Sequence, residues 1–299
     1  MRIDPNMVPS ILADLQQSQV SLNTALQQVS TGKSVTVPSD NPSASAAMVQ
    51  NTIETGDVDQ YTQNVSSVLL TVQSASSTLS SVVNSLTKAV SLGTEGANGT
   101  NSTADMQSIA TEVQGILSSV VSAANTSVAG SYLFGGTSAA TPYTADATSP
   151  TGYTYNGNND TNSVAVGDNL SVQANVPGSQ IFSNASNNVL GSLSSLLTAL
   201  QSGNSSSIET ATSSVDSALN YVSQQQVVYS NAETQLNSQQ TSLQQDTVTL
   251  STQENNLIGV NEATAATNLS QAETDNSAAL AAAAKVLPTT LLNFLEPPS

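Results

Sequence analysis

The sequence predicts a mainly α protein: a long antiparallel helical coiled-coil rod formed by the N- and C-terminal segments, with a small β-rich inserted domain. Val222, Tyr229, Leu236, Leu243, Leu250 and Leu257 recur at every seventh position, the spacing of one narrow helical seam. No Pro or Gly interrupts the chain from Ser205 to Ile258, so at 1.5 Å per residue a single helix there would run roughly 75–80 Å. Aromatic residues make up only 3% of the 299 residues and Trp is absent, which suits thin helix packing and leaves a large globule short of core-filling mass.

The elements follow in chain order. From Ile11, a heptad reads Leu12, Gln19 and Leu26 at one position and Leu15, Leu22 and Val29 at the other, an amphipathic helix that Gly32 should stop in the left-handed conformation. Asn41 before Pro42 fits an N-cap with proline at the first helical position. The helix so begun carries Tyr61, Val65, Val68, Val72, Ala75, Leu79, Val82, Leu86 and Ala89 in steps of four and three, and should end near Gly93. Ser102 with Asp105 reads as a capping box that opens a third helix with the stripe Met106, Ile109, Val113, Ile116 and Val120; Gly130 should close it. The period then falls to two through Val164, Val166, Leu170, Val172, Ala174 and Val176, with Gly167-Asp168-Asn169 as turn. A short apolar helix from Val189 to Leu200 precedes the long seam helix. The last stripe, Leu269, Ala272, Ala279, Leu280, Ala283 and Leu287, should kink or end at Pro288, which lacks an N–H donor.

This pattern divides the chain into terminal helices at 1–41 and 259–299, a helical rod at 42–130 and 187–258, and a β-rich insert at 131–186. The apolar seams at the two chain ends have nothing further along the sequence to cover them, so their cover must come from each other and from neighbouring molecules. The residues expected at that interface are Leu12, Leu15, Leu22, Leu26, Val29, Leu280, Leu287, Leu291, Leu292, Phe294 and Leu295. Tyr132, Leu133, Phe134, Gly135 and Gly136 are expected to form a joint between domains.

Composition narrows the function. With 21 acidic residues against Arg2, Lys33, Lys88 and Lys285, the chain is a poor match for nucleic acid or an anionic membrane. His and Cys are both absent, which removes Ser-His-Asp and Cys-His catalysis and the usual zinc sites. The acids are scattered along helices, apart from Asp57 with Asp59 and Glu273 with Asp275, so a paired-carboxylate glycosidase has little support. Asn156, Asn158, Asp160 and Asn162 alternate like a calcium loop but lack its glycine and closing glutamate. No cofactor or metal is expected. Met1–Val8 has Asp4, Pro5 and Asn6 in place of an apolar core, so no cleaved signal is expected, and Ser277–Ala284 is far shorter than the ~20 residues of a membrane span. A surface of neutral Ser, Thr, Asn and Gln would tolerate an acidic medium, where carboxylates lose their charge.

Five motifs in order carry a resemblance: Leu22–Lys33 ending in Ser30-Thr31-Gly32-Lys33, then Pro38-Ser39-Asp40-Asn41-Pro42, Tyr132–Gly136, Asn175–Phe182 and Leu291-Leu292-Asn293-Phe294-Leu295. Together they resemble the flagellin superfamily, and within it the flagellar hook-associated protein 3 family, which joins hook to filament. The resemblance implies copies arranged around a hollow axis, terminal helices innermost and the β insert outermost. It also implies an extracellular place in the bacterial flagellum, reached by type III export without signal cleavage. The implied partners are further copies in a ring, a neighbouring hook-associated protein, flagellin and an export chaperone. Flagellin itself is similar at both ends and is the alternative; a secreted coiled-coil adhesin or translocator that binds through the β insert is another.

Overall fold

A computed structural model describes the backbone of residues 7–295 and the side chains of residues 9–285. Among the described residues, seven helices and six short strands follow in the order α1 (Met7–Thr31), α2 (Pro42–Gly96), α3 (Thr103–Ala124), β1 (Ser127–Val128), β2 (Ser131–Tyr132), β3 (Tyr143–Ala145), β4 (Tyr153–Tyr155), β5 (Ser163–Gly167), β6 (Leu170–Gln173), α4 (Gly178–Ile181), α5 (Val189–Ser202), α6 (Ser205–Ile258) and α7 (Glu262–Leu295). The mainly α class is as expected, and the strands pair only as three antiparallel two-stranded sheets. By contacts the chain forms two compact units, one of residues 1–57 and 245–299 and one of 58–244.

The second unit holds one continuous core. Val65, Val68, Val72, Ala75, Leu79, Val82, Leu86 and Ala89 of α2 are all buried, as are Val222, Tyr229, Leu236 and Leu243 of α6. The stripe of α3 from Met106 to Val120 joins them, and α5 adds Leu190, Leu193, Leu196 and Leu200. The capping box at Ser102 forms as expected, each partner accepting or donating across the first turn. Two helix ends differ from expectation. The second helix runs through Gly93 to Gly96, because Gly93 marks a close helix approach, where a Cβ would collide with the Thr212 side chain. The third stops at Ala124, well before Gly130, because the Asn125 side chain leaves the helix to bind both backbone groups of Tyr143 at 2.8 Å. Gly130 instead turns the β1–β2 hairpin with Ala129, both at positive φ.

The insert strands pack around aromatic rings. Phe134 meets Phe182 edge to face at 5.2 Å, and Tyr143 lies 5.1 Å from Tyr155 and 6.1 Å from Phe182. Polar side chains from the long helices hold the insert by its backbone: Asn64 donates to the Ala165 carbonyl at 2.7 Å, Gln239 to Val166 at 3.0 Å and Tyr221 to Gln180 at 2.7 Å. The Val176 N–H donates to the Tyr229 hydroxyl at 3.2 Å.

The first unit contains α1, α7 and the adjoining ends of α2 and α6. Gly32, at φ +68°, ends α1 as expected, and the Asn41 side chain caps α2 by accepting from the Ala44 N–H at 3.1 Å. Residues 32–34 and 258–260 pair antiparallel: Ser34 N–H donates to the Ile258 carbonyl at 2.6 Å and Val260 N–H to Gly32 at 3.0 Å. Lys33 and Glu254 close the same place with an exposed 3.0 Å ion pair. Pro288 does not end the last helix, which continues to Leu295; proline's fixed φ is helical, so the chain loses one hydrogen bond without having to leave the helix.

Candidate functional site

The helices expected to carry the interface, α1 and α7, pack on each other along one stripe apiece. On α7 the stripe is Ala265, Leu269, Ala272, Asn276, Ala279 and Ala283, in steps of four and three, and every member is buried or half-buried. Facing it, α1 offers Ile11, Leu15, Ser18, Leu22 and Ala25. The α7 stripe is narrow because it is mostly alanine, so of the expected α1 residues it covers Leu15 and Leu22 and leaves the rest open. Leu15 and Leu22 are half-buried; Leu12 (53%), Leu26 (45%) and Val29 (45%) stay exposed, as does Leu280 (50%) on α7. Val20, Val49, Ile53 and Val248 of the same unit are also exposed. The side chains of Leu287, Leu291, Leu292, Phe294 and Leu295 lie outside the described residues.

The Tyr132–Gly136 motif lies at the base of the insert. Leu133 and Phe134 are buried, and the Phe134 carbonyl accepts from Gly178 N–H at 2.7 Å and from the Tyr155 hydroxyl at 3.0 Å. At Gly136, φ is +71° and a Cβ would collide with Asn158, so the glycine is required on both counts. Burial pushes the Tyr143 hydroxyl pKa up and raises that of Tyr229 to about 12, which marks both as neutral packing groups.

Among the described residues no three acidic side chains converge on a point where a cation could bind. In place of the calcium-like reading, the Asn158 side chain accepts from Thr137 N–H at 2.8 Å and donates to the Thr137 hydroxyl at 2.8 Å. Three carboxylates are held below their usual range, each by local donors at a turn or cap. The Val37 and Thr36 N–H groups act on Asp40 and the Ser102 hydroxyl on Asp105; Asp146 is lowered to about 2, chiefly by the Thr148 and Thr154 hydroxyls. No described helix is long and apolar enough to cross a membrane.

Residues 6–139 match the family model of the bacterial flagellin N-terminal helical region. No curated protein matches the chain at the sequence level. A Vibrio parahaemolyticus protein described as flagellar hook-associated superposes with a TM-score of 0.67 at 20% identity, over 74% of this chain and 100% of that one. The fold is that of the flagellar hook-associated proteins. FlgL from Bacillus cereus is similar over 69% of this chain and 99% of its own, at 23% identity and a TM-score of 0.60. The flagellar junction protein FlgL from Legionella pneumophila covers 71% of this chain and 100% of its own, at 15% identity and a TM-score of 0.60.

Sequence reasoning set Leu12, Gln19 and Leu26 beside Leu15 and Leu22 in one seam, whereas the structure sets Ile11, Ser18 and Ala25 there. It missed the helix side chains that hold the insert. Asn64 and Gln239 are ordinary polar residues on a helix face, and only the folded backbone opposite them makes them structural.

Proposed function

We propose that this chain is a structural subunit of the bacterial flagellum, placed at the junction between hook and filament. The observation that carries the reading is the unfinished burial of α1 and α7: a terminal helix pair that packs on alanine and leaves Leu12, Leu26, Val29 and Leu280 exposed, in a fold shared with flagellar hook-associated proteins. Further copies in a ring cover these side chains, together with Leu15, Leu22, Leu287, Leu291, Leu292, Phe294 and Leu295. On this reading residues 1–41 and 259–299 are the assembly helices, 42–130 and 187–258 the helical rod, and 131–186 the outer β-rich insert. Tyr132–Gly136 forms the joint at which the insert leaves the helices. A hook-associated protein on one side and flagellin on the other complete the assembly. An export chaperone guards the apolar ends before type III export to the cell exterior.

Replacing Leu12, Leu26 and Val29 together by Ser tests this. The variant should be exported and keep its monomer melting temperature, yet fail to restore filaments to cells lacking the native protein. Restored filaments would overturn the proposal. The family match to flagellin favours one second reading, a filament subunit. Long filaments grown from the purified chain alone would select it; short rings that stop growing would exclude it.

A further inference from the structure

Two polar atoms in the α1·α7 seam are shut off from solvent and have no hydrogen-bond partner: Ser18 Oγ and Asn276 Oδ1. Asn276 is 9% exposed, a level otherwise reached on this helix by alanines. Each is the one polar member of its stripe, Ser18 among Ile11, Leu15, Leu22 and Ala25, Asn276 among Ala265, Leu269, Ala272, Ala279 and Ala283. The paired segments at Lys33 and Gly259 make the two helices antiparallel neighbours. Counted from there at 1.5 Å per residue, Ser18 lies about 20 Å from the C-terminal end of α1 and Asn276 about 21 Å from the N-terminal end of α7. The two polar residues therefore share one level of the seam.

The other buried asparagines show what a finished polar layer looks like. Asn51 donates to the Leu250 carbonyl at 3.1 Å and to Gln253 at 3.3 Å. Asn175 accepts from Asn162 N–H at 2.6 Å and donates to the Gly136 carbonyl at 2.9 Å. The Asn276 amide oxygen has no equivalent.

We infer that Ser18 and Asn276 form a polar layer that sets the register of α1 on α7 and keeps this pairing weak. A one-heptad slip would set Ser18 at the level of Leu269 or Ala283 and Asn276 at the level of Ile11 or Ala25, so only the native register puts the two polar groups beside each other, where one lessens the apolar surroundings of the other. In that register the layer is still unsatisfied, so the pair opens readily. The further step, that weakness lets α1 and α7 exchange contacts during assembly, rests on the proposed function; the register claim does not.

The chain has no cysteine, so the register can be read by disulfide trapping in the dilute monomer. Leu22→Cys is combined in turn with Ala272→Cys and with the heptad neighbours Ala265→Cys and Ala279→Cys. In the native background only the Ala272→Cys pair should close; with Ser18→Ala and Asn276→Leu added, all three should. Equal closure of all three pairs in the native background would overturn the claim, and so would closure restricted to Ala272→Cys once the layer is removed. Hydrogen exchange reads the weakness: Ser18→Ala with Asn276→Leu should raise protection of α1 and α7 about tenfold or more and leave α3 and α5 unchanged. Unchanged or lowered protection in α1 and α7 would overturn it. Both measurements use the monomer, so they can fail without touching the junction reading, and the junction reading can fail without touching them.

Discussion

The unit of residues 58–244 and the unit of 1–57 with 245–299 use the same heptad grammar with opposite results. In the first, Val, Leu and Ile fill the seams: Leu79, Leu86, Leu193, Leu196 and Leu236 have no solvent exposure, and Leu70, Val227 and Val228 are its large apolar side chains left in water. In the second, the buried positions are Ala25, Ala44, Ala265, Ala272 and Ala283 with Asn51 and Asn276, joined at the end of α6 by Leu250 and Ile258, while Leu12, Val20, Leu26, Val29, Val37, Val49, Ile53, Val248 and Leu280 are exposed. Large apolar side chains are mostly inside one unit and mostly outside the other. Burial of a leucine contributes roughly 1.5–3 kcal/mol and burial of an alanine far less, so a solitary chain keeps its stability in residues 58–244. The difference teaches that periodicity alone does not make a core; the size of the residue at the covered position does.

Core truncation should expose this contrast most strongly. Phe134→Ala removes a ring packed edge to face on Phe182 and should destabilise the chain by about 3–5 kcal/mol, measured by urea unfolding. Leu236→Ala should cost about 2–5 kcal/mol by the same assay. Leu26→Ser, at a residue 45% exposed, should change monomer stability by no more than about 0.5 kcal/mol. A large loss at Leu26 would break the comparison.

Overpacking comes next. Ala272→Leu puts a large side chain into the alanine stripe and should cost about 1–3 kcal/mol, read as lost exchange protection in α1 and α7 only. Ser102→Ala removes the capping box and should cost about 1 kcal/mol, with faster exchange in the first turn of α3.

The smallest effects concern charge. The ion pairs Lys33–Glu254 and Lys88–Glu112 are both 3.0 Å long and exposed, so 1 M NaCl should shift the melting temperature little. The pH profile has a sign at each end. Asp40, Asp105 and Asp146 have depressed folded-state values, so the stability they add is present above the ordinary value of 3.8 and is lost as pH falls toward about 2. Tyr143 and Tyr229 have raised values, so their contribution is full below the ordinary 10 and is lost as pH climbs toward about 12. A pH series of melting temperatures should therefore hold a plateau from about 4 to 10. A steady decline from neutral to pH 5 would contradict it.

The long helices were legible because their signals are local. The uninterrupted run from Ser205 to Ile258, the Asn41-Pro42 cap and the Ser102–Asp105 box all act within a few residues of themselves. What the sequence left open depends on partners far along the chain. Gly130 looked like a helix stop until Asn125 and Tyr143, eighteen residues apart, were seen to end the helix earlier. Pro288 looked like a break, but a helix interior can hold its φ at the loss of one bond. The α1 heptad positions Leu12, Gln19, Leu26 and Leu15, Leu22, Val29 are equivalent by spacing, and only the packing on α7 separates the half-buried Leu15 and Leu22 from the exposed Leu12, Leu26 and Val29. The alternation at Val164–Val172 marked β5 and β6, but β1 to β4 carry too few residues for a period-two signal, and rings from four separate segments decide the packing there.

Hydrogen exchange of the full chain, first as a dilute monomer and then in the assembled state, tests the central claim most directly. The account predicts that described amides in 9–57 and 245–285 exchange much faster than those in α3, α5 and the centre of α6 in the monomer, and become protected on assembly. Equal protection of both units in the dilute monomer would contradict it.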